Sequence, residues 1–430
     1  MKKPLNIAVA GLGTVGAGTL KLLAAQADLL ALRAGRPIRV TAVSARTRGR
    51  DRGVDLAGVT WFDDPVAMAR EADAEAIVEL IGGSDGTAKA VCETALAAGR
   101  HVVTANKALL AMHGTALATT AEDAGLTLAW EAAVAGGIPI VKALREGLVG
   151  NRISRLQGIL NGTCNYILTT MRETGREFAD VLDEAQHLGY AEADPSFDID
   201  GIDAAHKLAL LSALAFGAAV DFAGLHIEGI RHISAMDIEY AEELGYRIKL
   251  LGIAERGPGG IHQRVHPAMV PLAAPIAAVE GVFNGIVTEG DFVGTTVLEG
   301  RGAGAGPTAS AVVADLVDIA CGRRAPTFGV PARRLDTVKS LPMDDHMGAY
   351  YVRLMVIDRP GVFADIAASL RDCEISLESV LQRSRAPGGV VPVVLTTHEA
   401  SESAMRRALA TIGGIDAVRE PPHMIRIERG

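Results

Sequence analysis

A chain of 430 residues is too long for one ordinary hydrophobic core, so its length points to two or three domains. Hydrophobic residues make up 49% and charged residues 22%, the balance of a globular protein rather than a disordered one. The net charge of -9 argues against a nucleic-acid partner.

In chain order, Leu5 to Ala10 reads as a buried strand and Val15 to Leu32 as a helix, with Gly11, Gly13 and Gly16 at the turn between them. Further strands are predicted at Ile38 to Val43, Ala76 to Leu80, His101 to Thr104 and Leu126 to Trp130, separated by helical segments such as Thr87 to Ala98. That alternation predicts an α/β fold with a Rossmann-type, doubly wound parallel sheet over residues 1–134. From about residue 135 the rhythm changes. Helices at Ile138 to Glu146, Phe178 to Leu188 and Ile202 to Ala215 precede strands at Tyr246 to Ala254 and Ile261 to Val270, giving an α+β domain over 135–299. Gly300 to Gly306 reads as a flexible loop, after which Thr308 caps an apolar helix running to Ala320 that packs back on the first domain, over about 300–340. The remainder, 348–430, reads strand, helix, strand, strand, helix, strand, which is the βαββαβ order of a ferredoxin-like module.

The four cysteines, Cys92, Cys164, Cys321 and Cys373, show no CxxC spacing, which argues against a disulfide framework or zinc site and fits a cytoplasmic protein. The longest apolar run, Leu208 to Val220, falls short of the roughly 20 residues that span a bilayer, so no membrane partner is expected. The start at Met1-Lys2-Lys3 carries no cleavage-type sequence.

The strand-loop-helix at Gly11-Leu12-Gly13-Thr14-Val15-Gly16 has the pattern that cradles a dinucleotide pyrophosphate. An NAD site usually places an acid after the second strand, but this chain has Ser44, Ala45, Arg46, Thr47 and Arg48 there. Hydroxyl and guanidinium groups suit a 2′-phosphate, so NADP is expected, with Arg46 as its best single contact. Arg48 and Arg50 read equally well as a solvated basic loop.

Three constellations carry candidate chemistry. Thr104-Ala105-Asn106-Lys107 lies just past a strand end, where Lys107 can reach the nicotinamide side or simply start a helix. In the second, Asp203 and Lys207 are four residues apart on one helix face, beside Glu192, Asp194, Asp198 and Asp200. Lys207 opens an apolar helix, where desolvation lowers a lysine pKa and suits it to proton transfer. The acidic groups can hold a substrate ammonium, or they form an acidic surface loop ahead of a core helix. Asp198-Ile199-Asp200-Gly201 also has a partial calcium-loop pattern without its terminal glutamate. The third, Leu160-Asn161-Gly162-Thr163-Cys164-Asn165-Tyr166, opens a helix, and Cys164 reads as a small core residue rather than a nucleophile because no histidine is placed to activate it. A cysteine-dependent semialdehyde dehydrogenase and a noncatalytic NADP-binding amino-acid sensor are the rival readings.

GLGTVG at 11–16, TANKALL at 104–110, EAAVAGGIPI at 131–140, LNGTCNYIL at 160–168, GYAEADPSFDIDGIDAAHKL at 189–208 and GAGAGPTASAVVADL at 302–316 together resemble homoserine dehydrogenase, to about residue 340. DRPGVFADIA at 358–367 looks like part of an ACT domain, and no aspartate kinase segment precedes the rest, as in the monofunctional form. The resemblance implies interconversion of L-homoserine and L-aspartate 4-semialdehyde in threonine and methionine biosynthesis. It implies Lys207 as acid/base, Lys107 between nicotinamide and substrate, and Glu192, Asp198 and Asp203 at the substrate. Gly302 and Gly304 join the cofactor contacts. It further implies a monovalent cation, usually sodium, on the carbonyls of Glu131, Val134, Gly136 and Ile138. A homodimer or homotetramer, and threonine as an inhibitory effector at the ACT module, complete the expectation.

Overall fold

The computed structural model describes residues 3–383 and 385–428; the expected outer domain limits at residues 1 and 430 lie outside them. Six parallel strands form one sheet: β1 (Leu5–Ala10), β2 (Ile38–Ser44), β3 (Thr60–Phe62), β4 (Ala76–Glu79), β5 (His101–Thr104) and β6 (Leu128–Ala129). Their order, β3-β2-β1-β4-β5-β6, reverses direction between β1 and β4, and such a switch point opens a crevice at the strand ends. Leu5, Ile7, Val9 and Ala10 are all fully buried, as a strand covered on both faces by helices requires.

The helix expected from Val15 to Leu32 is two helices, α1 (Thr14–Ala25) and α2 (Ala27–Ala34), bent by 81°. No proline or glycine marks the break at Gln26. Packing sets it: Leu20 and Leu23 of α1 and Leu30 and Ala34 of α2 enter the same buried cluster, which a straight helix would not allow. Helices α3 (Pro65–Glu71), α4 (Thr87–Ala97) and α5 (Lys107–Asp123) complete the crossovers. Among the described residues no single helix is long and apolar enough to cross a membrane, although α1 and α2 together pass that test by composition.

The second sheet has eleven strands, including β7 (Ile153–Ile159), β9 (Tyr246–Gly257), β10 (Gly260–Pro271), β11 (Phe283–Gly290) and β12 (Gly294–Arg301), with β8 (His226–Ile227) beside β10. Strands β7, β11 and β12 escaped the sequence reading. In β7 the reason is chemical: Arg155 and Gln157 make it look polar, yet the strand is internal and Arg155 pairs with Glu255 on β9. The predicted helix from Ile138 to Glu146 starts two residues later, at α6 (Ile140–Lys142), because Pro139 bars helical backbone at the residue before it, and it continues as a wider π-helical turn over Ala143–Gly147. Against this sheet lie α7 (Gly162–Thr174), α8 (Phe178–His187), α9 (Ser196–Ile199), α10 (Ile202–Phe216) and α11 (Ala235–Glu243).

Gly300 and Arg301 end β12 rather than belonging to a flexible loop, and α12 (Ala305–Cys321) begins at Gly304. Thr308 is therefore buried in the first turn of that helix, not its cap; Pro307 is tolerated there because first-turn N–H groups need no intrahelical acceptor. Val312 and Leu316 of α12 share a buried cluster with Leu5, Ile7 and Val9.

The C-terminal elements are β13 (Met347–Ile357), α13 (Val362–Asp372), β14 (Leu377–Leu381), β15 (Val390–Thr397), β16 (Ala400–Ser401), α14 (Glu402–Gly413) and β17 (His423–Ile427). They have their own core around Val352, Leu354, Ile366, Met405 and Ile412. Strand β17 pairs in parallel with β10, so the C-terminal strands extend the eleven-stranded sheet. Buried ions reinforce that seam: Arg264 on β10 holds Glu428 at 2.9 Å, and Arg155 on β7 holds it at 3.0 Å. Strand β7 leads directly to Leu160 and Asn161.

Candidate active site

A cleft of about 650 Å3 opens between the two sheets and is walled by Thr14, Val15, Lys107, Asn161, Asp198, Asp203, Lys207, Asn284, Gly302 and Gly304, among others. Its first wall is the glycine turn. A Cβ on Gly16 would lie 2.0 Å from the Gly11 carbonyl, and one on Gly11 would lie 2.5 Å from the Leu80 carbonyl, whereas Gly13 faces open space. Gly13 also caps α1 without a side-chain hydrogen bond, leaving the helix N–H groups for a phosphate. The residues present thus fit a dinucleotide.

Within that turn the Leu12 side chain is core, and its carbonyl accepts from Arg52 Nε at 3.1 Å. Arg52 also donates to the Thr47 and Arg50 carbonyls, folding the basic loop onto the glycine turn, while Arg46 is exposed and stands outside the cleft wall. The sequence reading missed Arg52, which lies eight residues past the end of β2 with no motif to mark it.

The second wall is a buried charge cluster. Helix α10 starts at Gly201, whose φ of 84° suits glycine, and so places Asp203 in the first turn and Lys207 one turn on. Lys207 Nζ donates to Asp203 Oδ2 and to the Leu160 carbonyl, each at 2.7 Å. The setting is thus polar as well as apolar: a carboxylate and a carbonyl hold the ammonium. Lys107 Nζ lies 3.0 Å from Asp203 Oδ1 and 5.5 Å from the Phe197 ring centre. Burial works against ionisation of Asp203, but Lys207 and then Lys107 outweigh it and hold its pKa below the usual carboxylate range. Asn161 caps α7 through Oδ1 and donates from Nδ2 to both Asp198 Oδ1 and Asp203 Oδ2, at 2.8 Å each. Burial, then the Asp203 charge, raises the Asp198 pKa.

Glu79 was also missed. Fully buried, it accepts from Thr104 Oγ1 at 2.6 Å and from the Ile81 and Gly82 N–H groups, and Asn106 N in turn donates to Thr104 Oγ1. This carboxylate sets the turn that presents Lys107.

Cys164 is buried with its thiol on the Asp198 carbonyl at 3.2 Å, and burial pushes its pKa well above the ordinary thiol value. It is a neutral thiol, so the cysteine-nucleophile rival loses its reagent. Asp200 pairs with Arg231 and Asp198 with Asn161, so the partial calcium-loop pattern has other partners. Glu192 lies on an exposed turn at the rim, outside the cleft wall; Gln186 Nε2 ties down its carbonyl at 2.9 Å.

Between β6 and α6, Ala135 and Gly136 are both left-handed, with φ of 55° and 46°. A Cβ on Gly136 would lie 2.5 Å from the Gly302 carbonyl. Ile138's carbonyl accepts from Ile140 N at 2.8 Å. Glu131 is buried, accepts from Val141 N and Lys142 N, and donates its own N–H to Asp315 at 2.9 Å. Burial, then the Asp315 charge, pushes its pKa up to about 7. Because the folded pKa exceeds the ordinary 4.5, this group's stabilising proton is fully bound in acid and lost as pH rises toward 7. Unfolding in urea at about pH 5 and about pH 8 should therefore show wild type losing up to about 3 kcal/mol more than Glu131→Gln over that interval. Parallel pH profiles would contradict it.

A hydride-transfer enzyme needs a dinucleotide site and a proton relay at one cleft, and both are here: the chain is an NAD(P)-dependent oxidoreductase. The family model described as "Homoserine dehydrogenase, NAD binding domain" matches residues 11–131, and that described as "Homoserine dehydrogenase" matches 139–317. The homoserine dehydrogenase of Neisseria gonorrhoeae is 44% identical over 432 residues, covering 99% of each chain. The crystal structure of a homoserine dehydrogenase from Thiobacillus denitrificans is 46% identical with a TM-score of 0.93, covering 99% of each chain. A hyperthermophilic archaeal homoserine dehydrogenase in complex with NADPH is 27% identical with a TM-score of 0.64, covering 75% of this chain and 100% of that one. The chain belongs to the homoserine dehydrogenase family.

Proposed function

We propose that this chain interconverts L-homoserine and L-aspartate 4-semialdehyde with Lys207 as the acid/base, and that the observation carrying this reading is the array of buried Asp203 and Lys207 with half-buried Lys107, facing the glycine turn. When bound, the nicotinamide ring accepts or supplies the hydride. In the reducing direction the Lys207 ammonium gives a proton to the carbonyl oxygen as hydride reaches the carbon, and in the oxidising direction the same step runs backwards, with the neutral Lys207 amine taking the hydroxyl proton. Asp203 orients Lys207 and Lys107, while Asp198 at the wall and Glu192 at the rim hold the substrate ammonium.

NADP is the cofactor this reading favours: no acid follows β2, Arg52 draws the basic loop onto the glycine turn, and Arg46 remains free for a 2′-phosphate. The remaining cofactor contacts are Gly11, Leu12 through its backbone, Gly13, Thr14, Val15, Gly16, Lys107, Gly302 and Gly304. A monovalent cation, sodium by preference, takes the carbonyls of Glu131, Val134, Gly136 and Ile138, where carbonyls can replace its hydration shell. Residues 1–134 with about 300–340 form the dinucleotide domain, 135–299 the catalytic and dimerisation domain, and 348–430 an ACT domain. Threonine binding to the ACT domain is supported by Gly361, which opens α13 without a side-chain cap, and by the turn at Asp358. A homodimer or tetramer is the working assembly.

The test compares kcat/KM for L-homoserine with NADP and with NAD, with and without threonine. At least about a tenfold preference for NADP, a difference of about 1.4 kcal/mol, is expected, and lost by Arg46→Asp. Equal use of NAD removes the cofactor assignment, and a rate unchanged at saturating threonine removes the effector.

A further inference from the structure

We propose that Asn284 is a positioning residue for the cofactor: its side-chain amide pairs with the nicotinamide carboxamide and so fixes which face of the ring meets the substrate. The inference rests on the reading of the cleft as a nicotinamide site. Asn284 lies on β11 in the cleft wall and is 1% exposed, and neither its Oδ1 nor its Nδ2 has a hydrogen-bond partner among the described residues. Native proteins rarely leave a buried amide with both ends unmet. Asn165 shows the ordinary outcome: its Nδ2 donates to the Val279 and Phe283 carbonyls, and its Oδ1 accepts from Lys249 at 3.3 Å.

Three close approaches locate the unmet amide. A Cβ on Gly302 would lie 2.2 Å from Asn284 Oδ1, so the Gly302 backbone rests directly on the amide. One on Gly136 would lie 2.5 Å from the Gly302 carbonyl, and one on Gly18 would lie 2.7 Å from the Ala305 carbonyl. The turn covering Asn284 therefore also abuts α1, the helix that the glycine turn opens. Its cover is a residue without a side chain, and the proposed pairing requires Gly302 to shift off the amide.

The amide's chemistry selects the occupant. Asn284 offers an acceptor and a donor side by side, and a primary carboxamide offers the same pair reversed, so two hydrogen bonds form in one plane. A carboxylate would meet only Nδ2, and an ammonium only Oδ1. Burying either ion against a neutral amide also costs more than burying a neutral carboxamide. Of the charged groups of the cleft, Lys107, Asp203 and Lys207 are paired with one another on α5 and α10, Asp198 accepts from Asn161, and Arg301 lies over the Phe283 ring.

The test measures dissociation constants by calorimetry, without amino acid, for NADPH and for an analogue whose carboxamide is replaced by an acetyl group. Wild type should bind NADPH about tenfold or more tightly than the analogue, and Asn284→Ala should weaken NADPH by about the same factor while leaving the analogue within about threefold. Asn284→Ser, which keeps a small polar group, should fall between. The KM for L-homoserine should stay within about twofold. Equal affinity of wild type for the two dinucleotides, equal losses for both in the variants, or an effect confined to the homoserine KM each overturn the assignment. Wild-type protein that binds neither dinucleotide overturns the nicotinamide reading and the proposal with it.

Discussion

Lys207→Met lowers kcat by about 10²- to 10⁴-fold with little change in KM, because it removes the proton carrier and leaves the binding groups in place. The ammonium is the group in the cluster that is both buried and held at 2.7 Å by two fixed acceptors, so water cannot readily replace it. Methionine keeps the side chain's volume and apolar stem, and Asp203 retains Lys107 and Asn161, so the fold persists. Steady-state kinetics alongside a thermal melt reads both quantities. A loss under about tenfold would place the proton transfer on another group.

Asp203→Ala should cost about 3–5 kcal/mol of stability and most of the activity, the larger structural penalty of the two, because it strands a buried ammonium. Asp203 is 4% exposed and joins Lys207, Lys107 and Asn161, which come from α10, α5 and the start of α7. Losing it uncouples three elements at once. The sign with pH follows from its depressed pKa: the stabilisation is complete above the ordinary carboxylate range and disappears as pH falls below it. Denaturant unfolding of the variant should therefore converge on wild type in acid. A variant as stable as wild type at neutral pH would show that the cluster contributes nothing net.

How much of this was legible in the sequence depends on the distance over which each feature acts. The Asp203 and Lys207 pair was visible because helical spacing places them together. Glycine geometry was equally local, and the structure gives its cause in the close approach of Gly16 to Gly11. Asn161 lies inside a recognisable segment, but its role does not show there, because the bonds that matter reach Asp198 and Asp203, 37 and 42 residues away. Glu79 ended a strand like any buried residue, and only the turn it shares with Thr104 reveals it. Strand β7 was hidden because its arginine is neutralised by Glu255 and by the buried Glu428 of the seam, both distant in sequence. The same seam links the C-terminal module to Leu160, whose carbonyl holds Lys207.

The central claim is that hydride leaves the hydroxyl-bearing carbon of homoserine at this cleft while Lys207 takes the proton. L-homoserine deuterated at that carbon, mixed with the oxidised cofactor, tests it most directly. The account predicts deuterium on the reduced nicotinamide and none in solvent, with the rate collapsing in Lys207→Met. Reduced cofactor without deuterium, or no reduced cofactor from the wild-type protein, would contradict it.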